Sequence, residues 1–64
     1  MNSKIFVFRR KSEITYISGD DEKEAQKTAG GKDWKLIAVH DAGFFSQNES
    51  KLQKKYKDLL KNIH

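Results

Sequence analysis

Along this 64-residue chain the spacing of apolar and polar positions changes several times, and each change predicts an element. Residues 4–8, KIFVF, and 13–18, EITYIS, are β-branched and aromatic runs of the kind that suits a pleated, half-buried surface. The polar stretch RRKS between them makes the pair a hairpin. GDDEKEAQKTAGG then reads as a helix: Asp20 or Asp21 supplies an N-cap, and the acids sit at its positive end. Lys27 lies near its last turn, and Gly30 offers a left-handed stop. Its apolar side is only Ala25 and Ala29, which lets a sheet approach closely but buries little area. WKLIAVHD predicts a third strand and AGFF a bend. Ser46 with Glu49 three residues on has the form of a capping box, so the last helix is expected from about 47 to 63. Leu52, Tyr56, Leu59, Leu60 and Ile63 then fall within an arc of roughly 100°.

The order is β-β-α-β-α. If the third strand lies beside the first, all neighbouring strands are antiparallel and the sheet order is 2-1-3, with the most apolar strand at the centre. The expected fold is therefore α+β: a two-layer sandwich with a three-stranded antiparallel sheet, a split β-α-β unit and two helices, residues 1–64 forming a single small domain. Strand by strand, alternation puts Phe6, Phe8, Ile14, Tyr16, Trp34, Leu36 and Ala38 on one parity. Ile5, Val7, Ile17, Ile37 and Val39 take the other. Both parities are apolar, whereas helices on short connections tend to share one side. Either the long helix crosses to the second face or a partner covers it.

Composition removes several function classes. The chain has no cysteine, so disulfides and thiolate-ligated zinc are excluded, and a cytoplasmic location is expected. The longest apolar runs, IFVF and LIAV, are far too short for a membrane span. AGGK at 29–32 lacks the phosphate-loop spacing, because Gln26 stands where glycine is needed and Asp33 where serine or threonine is needed. His40 and Asp41 are neighbours on a strand, so their side chains point to opposite faces and form no relay. No nucleophile–base pair and no metal-ligand spacing is present, and neither enzymatic activity, cofactor nor metal is expected.

Charge does add something. The net +4 is divided unevenly. Lys4, Arg9, Arg10 and Lys11 against Glu13 leave the first 18 residues at +3, and Lys51, Lys54, Lys55, Lys57 and Lys61 against Glu49 and Asp58 leave the last 19 at +3. The segment between them carries −2. Such segregation predicts one basic surface if the two ends meet. Mobile cations on a rigid helix, with arginines at a hairpin tip, suit phosphate contact. The final helix has no arginine, and Gln53 and Asn62 form no set for reading base edges, so backbone contact with weak sequence preference is expected. Each cluster also has an ordinary explanation, as the wet side of a helix and a solubilised turn.

The aromatics Phe6, Phe8, Tyr16 and Trp34 give the alternative, an apolar sheet face or edge on which a protein partner, or a second copy, docks. The run ITYISGDDEKEAQKTA, about a quarter of the chain, resembles segments of small accessory proteins, phage-encoded inhibitors and antitoxin-like domains among them. That resemblance implies a compact protein that occupies another macromolecule's surface. The expected function is thus a small non-enzymatic accessory protein, monomer or homodimer. It binds nucleic acid through Arg9, Arg10, Lys11, Lys51, Lys54, Lys55, Lys57 and Lys61, or else acts as a protein-binding inhibitor or adaptor.

Overall fold

The computed structural model describes residues 3–61. Strands β1 (Lys4–Arg10), β2 (Glu13–Gly19) and β3 (Lys35–Asp41) form one antiparallel sheet in the order β2-β1-β3. Helices α1 (Glu22–Ala29), α2 (Ala42–Gln47) and α3 (Glu49–Lys61) complete the α+β fold. The sheet order is the one expected from the central position of the most apolar strand.

The helices divide between the two faces of the sheet. Alternation along β1 sends Phe6 and Phe8 to one side, where they pack with Ala25, Trp34, Ile17, Ala29 and Leu36 beneath α1. Val7 goes to the other side, with Phe45 of α2, Leu52 and Tyr56 of α3, and Ile5, Ile14, Tyr16 and Ala38 around it. The arrangement is therefore helix, sheet, helices, with three helices in place of the two layers and two helices expected. Two apolar parities demanded two covers, and α3 supplies the second. Val7 and Phe8 are wholly buried at the centre of this stack.

Two local features explain why. Asp41 caps α2, its Oδ2 accepting from the backbone N–H groups of Gly43 and Phe44, so AGFF is a helical turn and not a bend. Ser46 is consumed inside α2 and does not cap the last helix. The break comes at Asn48, whose N–H donates to the carbonyls of Phe44 and Phe45, and α3 leaves from there along the second face. The other feature is a β-bulge in β3 opposite the Val7–Phe8 step. Leu36 pairs with Phe8 and Ala38 with Val7, so the bulge sends these two same-parity residues to opposite faces.

α1 starts at Asp21, whose carboxylate accepts from the N–H of Lys23, and stops at Gly30. Gly30 sits at φ 127°, and a Cβ built there would come within 2.9 Å of the Trp34 Nε1. Gln26 ties the same corner, donating to the carbonyls of Gly31 and Trp34. Gly30→Ala is therefore expected to cost about 1–3 kcal/mol. Thermal unfolding followed by Trp34 fluorescence would reveal it, and an unchanged midpoint would mean the corner yields without strain.

Candidate nucleic-acid interface

Seven strand residues are needed to carry β1 through Arg10, so Arg9 and Arg10 lie in the strand and only Lys11 and Ser12 form the turn. Parity then separates the two arginines. Arg10 shares the α1 side with Phe8, stacks over Trp34 with its guanidinium carbon 4.6 Å from the ring centroid, and pairs with Glu13 at 2.8 Å. Its charge is partly answered within the chain, although an exposed pair of this kind adds little stability. Arg9 shares the α3 side with Val7 and faces Lys35 directly across the β1–β3 ladder. The Arg9 Nε donates to the carbonyl of Lys11, holding a tip whose Lys11 takes the left-handed conformation at φ 53°.

On α3 the expected apolar arc is cut down. Leu52 and Tyr56 are buried and Leu60 is half-buried, while Leu59 is 44% exposed; Ile63 lies outside the described residues. Lys51, Lys54, Lys55, Lys57 and Lys61 are all exposed. Among the described residues none of them forms an ion pair, and Asp58 on the same helix engages none of them. At about 100° per residue, Gln53 and Lys57 lie on one side of Tyr56 and Leu59 and Lys55 on the other. Lys54 and Lys61 continue the Lys57 flank outward, and Lys51 follows Lys55.

The Lys57 flank meets the hairpin. Gln53, Lys57 and Leu60 line an open groove of about 440 Å³ whose other wall is Ser12, Ile14 and Tyr16 of β2 and its turn. The strand residues are alternate positions on one face, and the helix residues are neighbours on one side. Among the described residues no acid lines this groove. Lys57 and the turn residue Ser12, next to Lys11, are thus joined by one concave surface with a half-apolar floor.

One tyrosine, Tyr16, lines it, and a second, Tyr56, lies beside Tyr16 in the core. Tyr56 is buried and its hydroxyl is hydrogen-bonded to the Nε2 of His40, across from β3. Tyr16 packs on the ring of Phe45 at 5.3 Å and lies 6.4 Å from Tyr56. Burial raises both phenols above their ordinary 10.0, and for Tyr16 the charge of Tyr56 adds to it. Both are therefore neutral O–H groups near pH 7. Because folding raises these values, their contribution to stability is complete below the ordinary phenol range and fades as pH climbs through the raised values.

The other candidate surface lies elsewhere. Phe6, Phe8 and Trp34 are buried beneath α1 and Tyr16 is half-buried under α3, so these four aromatics belong to two interior clusters and share no open face. His40 has a packing role, stacked on Phe44 at 6.0 Å and bonded to Tyr56. Among the described residues no cluster of three or more histidine, cysteine, aspartate or glutamate side chains could hold a metal ion, and no helix is long and apolar enough to cross a membrane. Sequence reasoning passed over Lys35, which the β1–β3 register brings beside Arg9, and the groove residue Ser12, and it set Gln53 aside as a base reader without placing it in a groove. Only the register and the path of α3 could have marked them. No family model matches the chain, and comparison with curated proteins and with solved structures finds nothing similar.

Proposed function

We propose that this is a non-enzymatic binding protein of the cytoplasm that grips the phosphate backbone of nucleic acid. Lys54, Lys57 and Lys61 on one flank of α3 act together with Lys11, Arg9 and Lys35 at the hairpin end. Lys51, Lys55 and the partly answered Arg10 contribute at longer range. The observation that carries the reading is the acid-free groove that Lys57 shares with the hairpin turn. It sets Lys57 across from Ser12, the turn residue next to Lys11 and far from it along the chain. Lys54 to Lys61 covers about 10 Å of helix axis, a length over which duplex DNA presents roughly six phosphate charges.

The chemistry favours backbone over bases. A lysine ammonium is a compact point charge with no fixed fork, so it recognises phosphate without selecting sequence. Among the described residues the one amide in the groove, Gln53, is a single contact and cannot build a code. Affinity should therefore follow salt. Neutralising three to five phosphates gives a log–log slope of about −2 to −4.5, a loss of roughly 20- to 500-fold in affinity between 50 and 200 mM salt. Fluorescence anisotropy with mixed-sequence single strands and duplexes measures it. Absence of binding at low salt, or binding indifferent to salt, removes this reading.

A further inference from the structure

The bulge in β3 has an electrostatic effect. In a regular β1–β3 ladder, continued from Val7 and Ala38, Leu36 would lie opposite Arg9 and Lys35 opposite Arg10. The extra residue, Ile37, slides the strand by one, so Lys35 stands directly across from Arg9. Like charges facing each other on a ladder repel and weaken it. The neighbouring tip is strained as well. Lys11 takes a left-handed conformation at φ 53°, costly for a residue with a side chain, and the Arg9 Nε holds it there by donating to the Lys11 carbonyl. Neither arrangement serves stability.

These three cations line one hollow of about 260 Å³, whose wall is completed by Arg10, Asp33 and Ile37. Arg9 and Arg10 belong to opposite faces, so the hollow wraps the end of the sheet. Four cations against one carboxylate leave its lining at a net +3. Arg10 is already engaged by Glu13 and Trp34. Among the described residues Arg9, Lys11 and Lys35 form no ion pair, with Asp33 or with any other acid. Unanswered cations gathered in a concavity focus the field there and attract an anion.

We propose that this hollow takes the terminal phosphate of a nucleic-acid strand, with Arg9, Lys11 and Lys35 as its contacts. The proposal rests on the backbone-binding reading and narrows it to strands with a phosphorylated end. Near pH 7 a terminal phosphate carries a charge of about −1.5 to −2 and three free oxygens, whereas an internal phosphodiester carries a single charge. The hollow is smaller than the ~300–1,000 Å³ of sites that enclose a drug-sized molecule, so it suits one group and not a whole nucleotide. Its surroundings also favour an end. On one side Lys11 adjoins Ser12, which lines the groove. On the other a second hollow shares Arg10, Lys11 and Asp33 but adds Glu13, so a backbone continuing that way meets two acids.

Fluorescence anisotropy tests this with one internally labelled strand of about ten nucleotides, prepared with a 5′-phosphate, a 3′-phosphate or hydroxyl ends. One phosphorylated form is expected to bind at least about tenfold more tightly than the hydroxyl-ended strand. Lys35→Gln is expected to bring the two within about threefold of each other, while Lys54→Glu, Lys57→Glu, Lys61→Glu weakens every form and keeps their ratio. Amide chemical shifts of the parent protein need no variant to fold, and those that distinguish phosphorylated from hydroxyl-ended strand should centre on Lys11 and Lys35. Equal binding of the three forms overturns the proposal and leaves the backbone reading standing; no binding by any form at low salt removes both. Shift differences centred elsewhere also overturn it, as does a preference that survives Lys35→Gln with native circular dichroism. So does inorganic phosphate or a mononucleotide that binds as tightly as the phosphorylated strand, which would make the hollow a small-anion site.

Discussion

Phe8→Ala should leave little folded protein at 37 °C. The Phe8 ring is wholly buried in the central strand, beneath α1 and among Phe6, Trp34 and Leu36. Removing a buried phenylalanine costs about 3–5 kcal/mol, the lost transfer energy plus the cavity left behind. A chain of 64 residues has roughly 3–10 kcal/mol of stability in all. For a domain of this size each kcal/mol moves the midpoint by about 4–8 °C, so a fall of more than about 12 °C is expected. The site has little means of relief, because Ala25 and Ala29 of α1 are too small to fill the gap and Trp34 is pinned between Gly30 and Arg10. Urea titration with circular dichroism gives the number. A loss below about 1 kcal/mol would mean that α1 can settle onto the sheet.

The second large effect concerns the proposed interface. Reversing Lys54, Lys57 and Lys61 to glutamate should lower affinity for mixed-sequence DNA by roughly 100- to 500-fold near 0.1 M salt and flatten the salt slope by about 2–3. Reversing Lys51 and Lys55, on the other flank of α3, should cost less than about tenfold. The contrast is informative because both sets are exposed lysines on one helix, with the same propensity. Equal losses from the two sets would show a diffuse attraction to any cation and dismiss the groove flank as a docking surface. The circular dichroism of both variants should match the parent, since none of these lysines is ion-paired within the described residues.

Much of the fold was legible in the residues, for identifiable reasons. Asp21 and Gly30 mark the ends of α1 because a side-chain oxygen and a missing Cβ are local requirements that sequence displays directly. The sheet order followed from the most apolar strand needing two neighbours. Strand faces were another matter. Val7 pairs with Tyr16, so odd positions of β1 share a face with even positions of β2, and that depends on a two-residue turn that RRKS does not declare. The bulge at Ile37 is invisible in a run as uniform as LIAV, yet it decides that Leu36 and Ala38 part company. Ser46 and Glu49 have the form of a capping box but lost to Asp41, whose carboxylate reaches two backbone N–H groups five residues earlier in the chain.

The candidate site shows the same division. That the basic clusters existed was a matter of counting. That Arg9 and Arg10 separate, one beside Lys35 and the other over Trp34, required knowing how far β1 extends. The four aromatics appeared surplus to one helical cover, and they are fully occupied once two covers are present.

The placement of Val7 and Tyr16 beneath α3 bears on how the protein is made. Translation delivers the central strand early and the helix that shields its second face after every other described element. A nascent chain can therefore close the hairpin and seat α1 while one greasy side of the sheet still awaits its lid. Pausing or truncation ahead of residue 49 would prolong that interval, leaving a half-roofed intermediate for chaperones to hold.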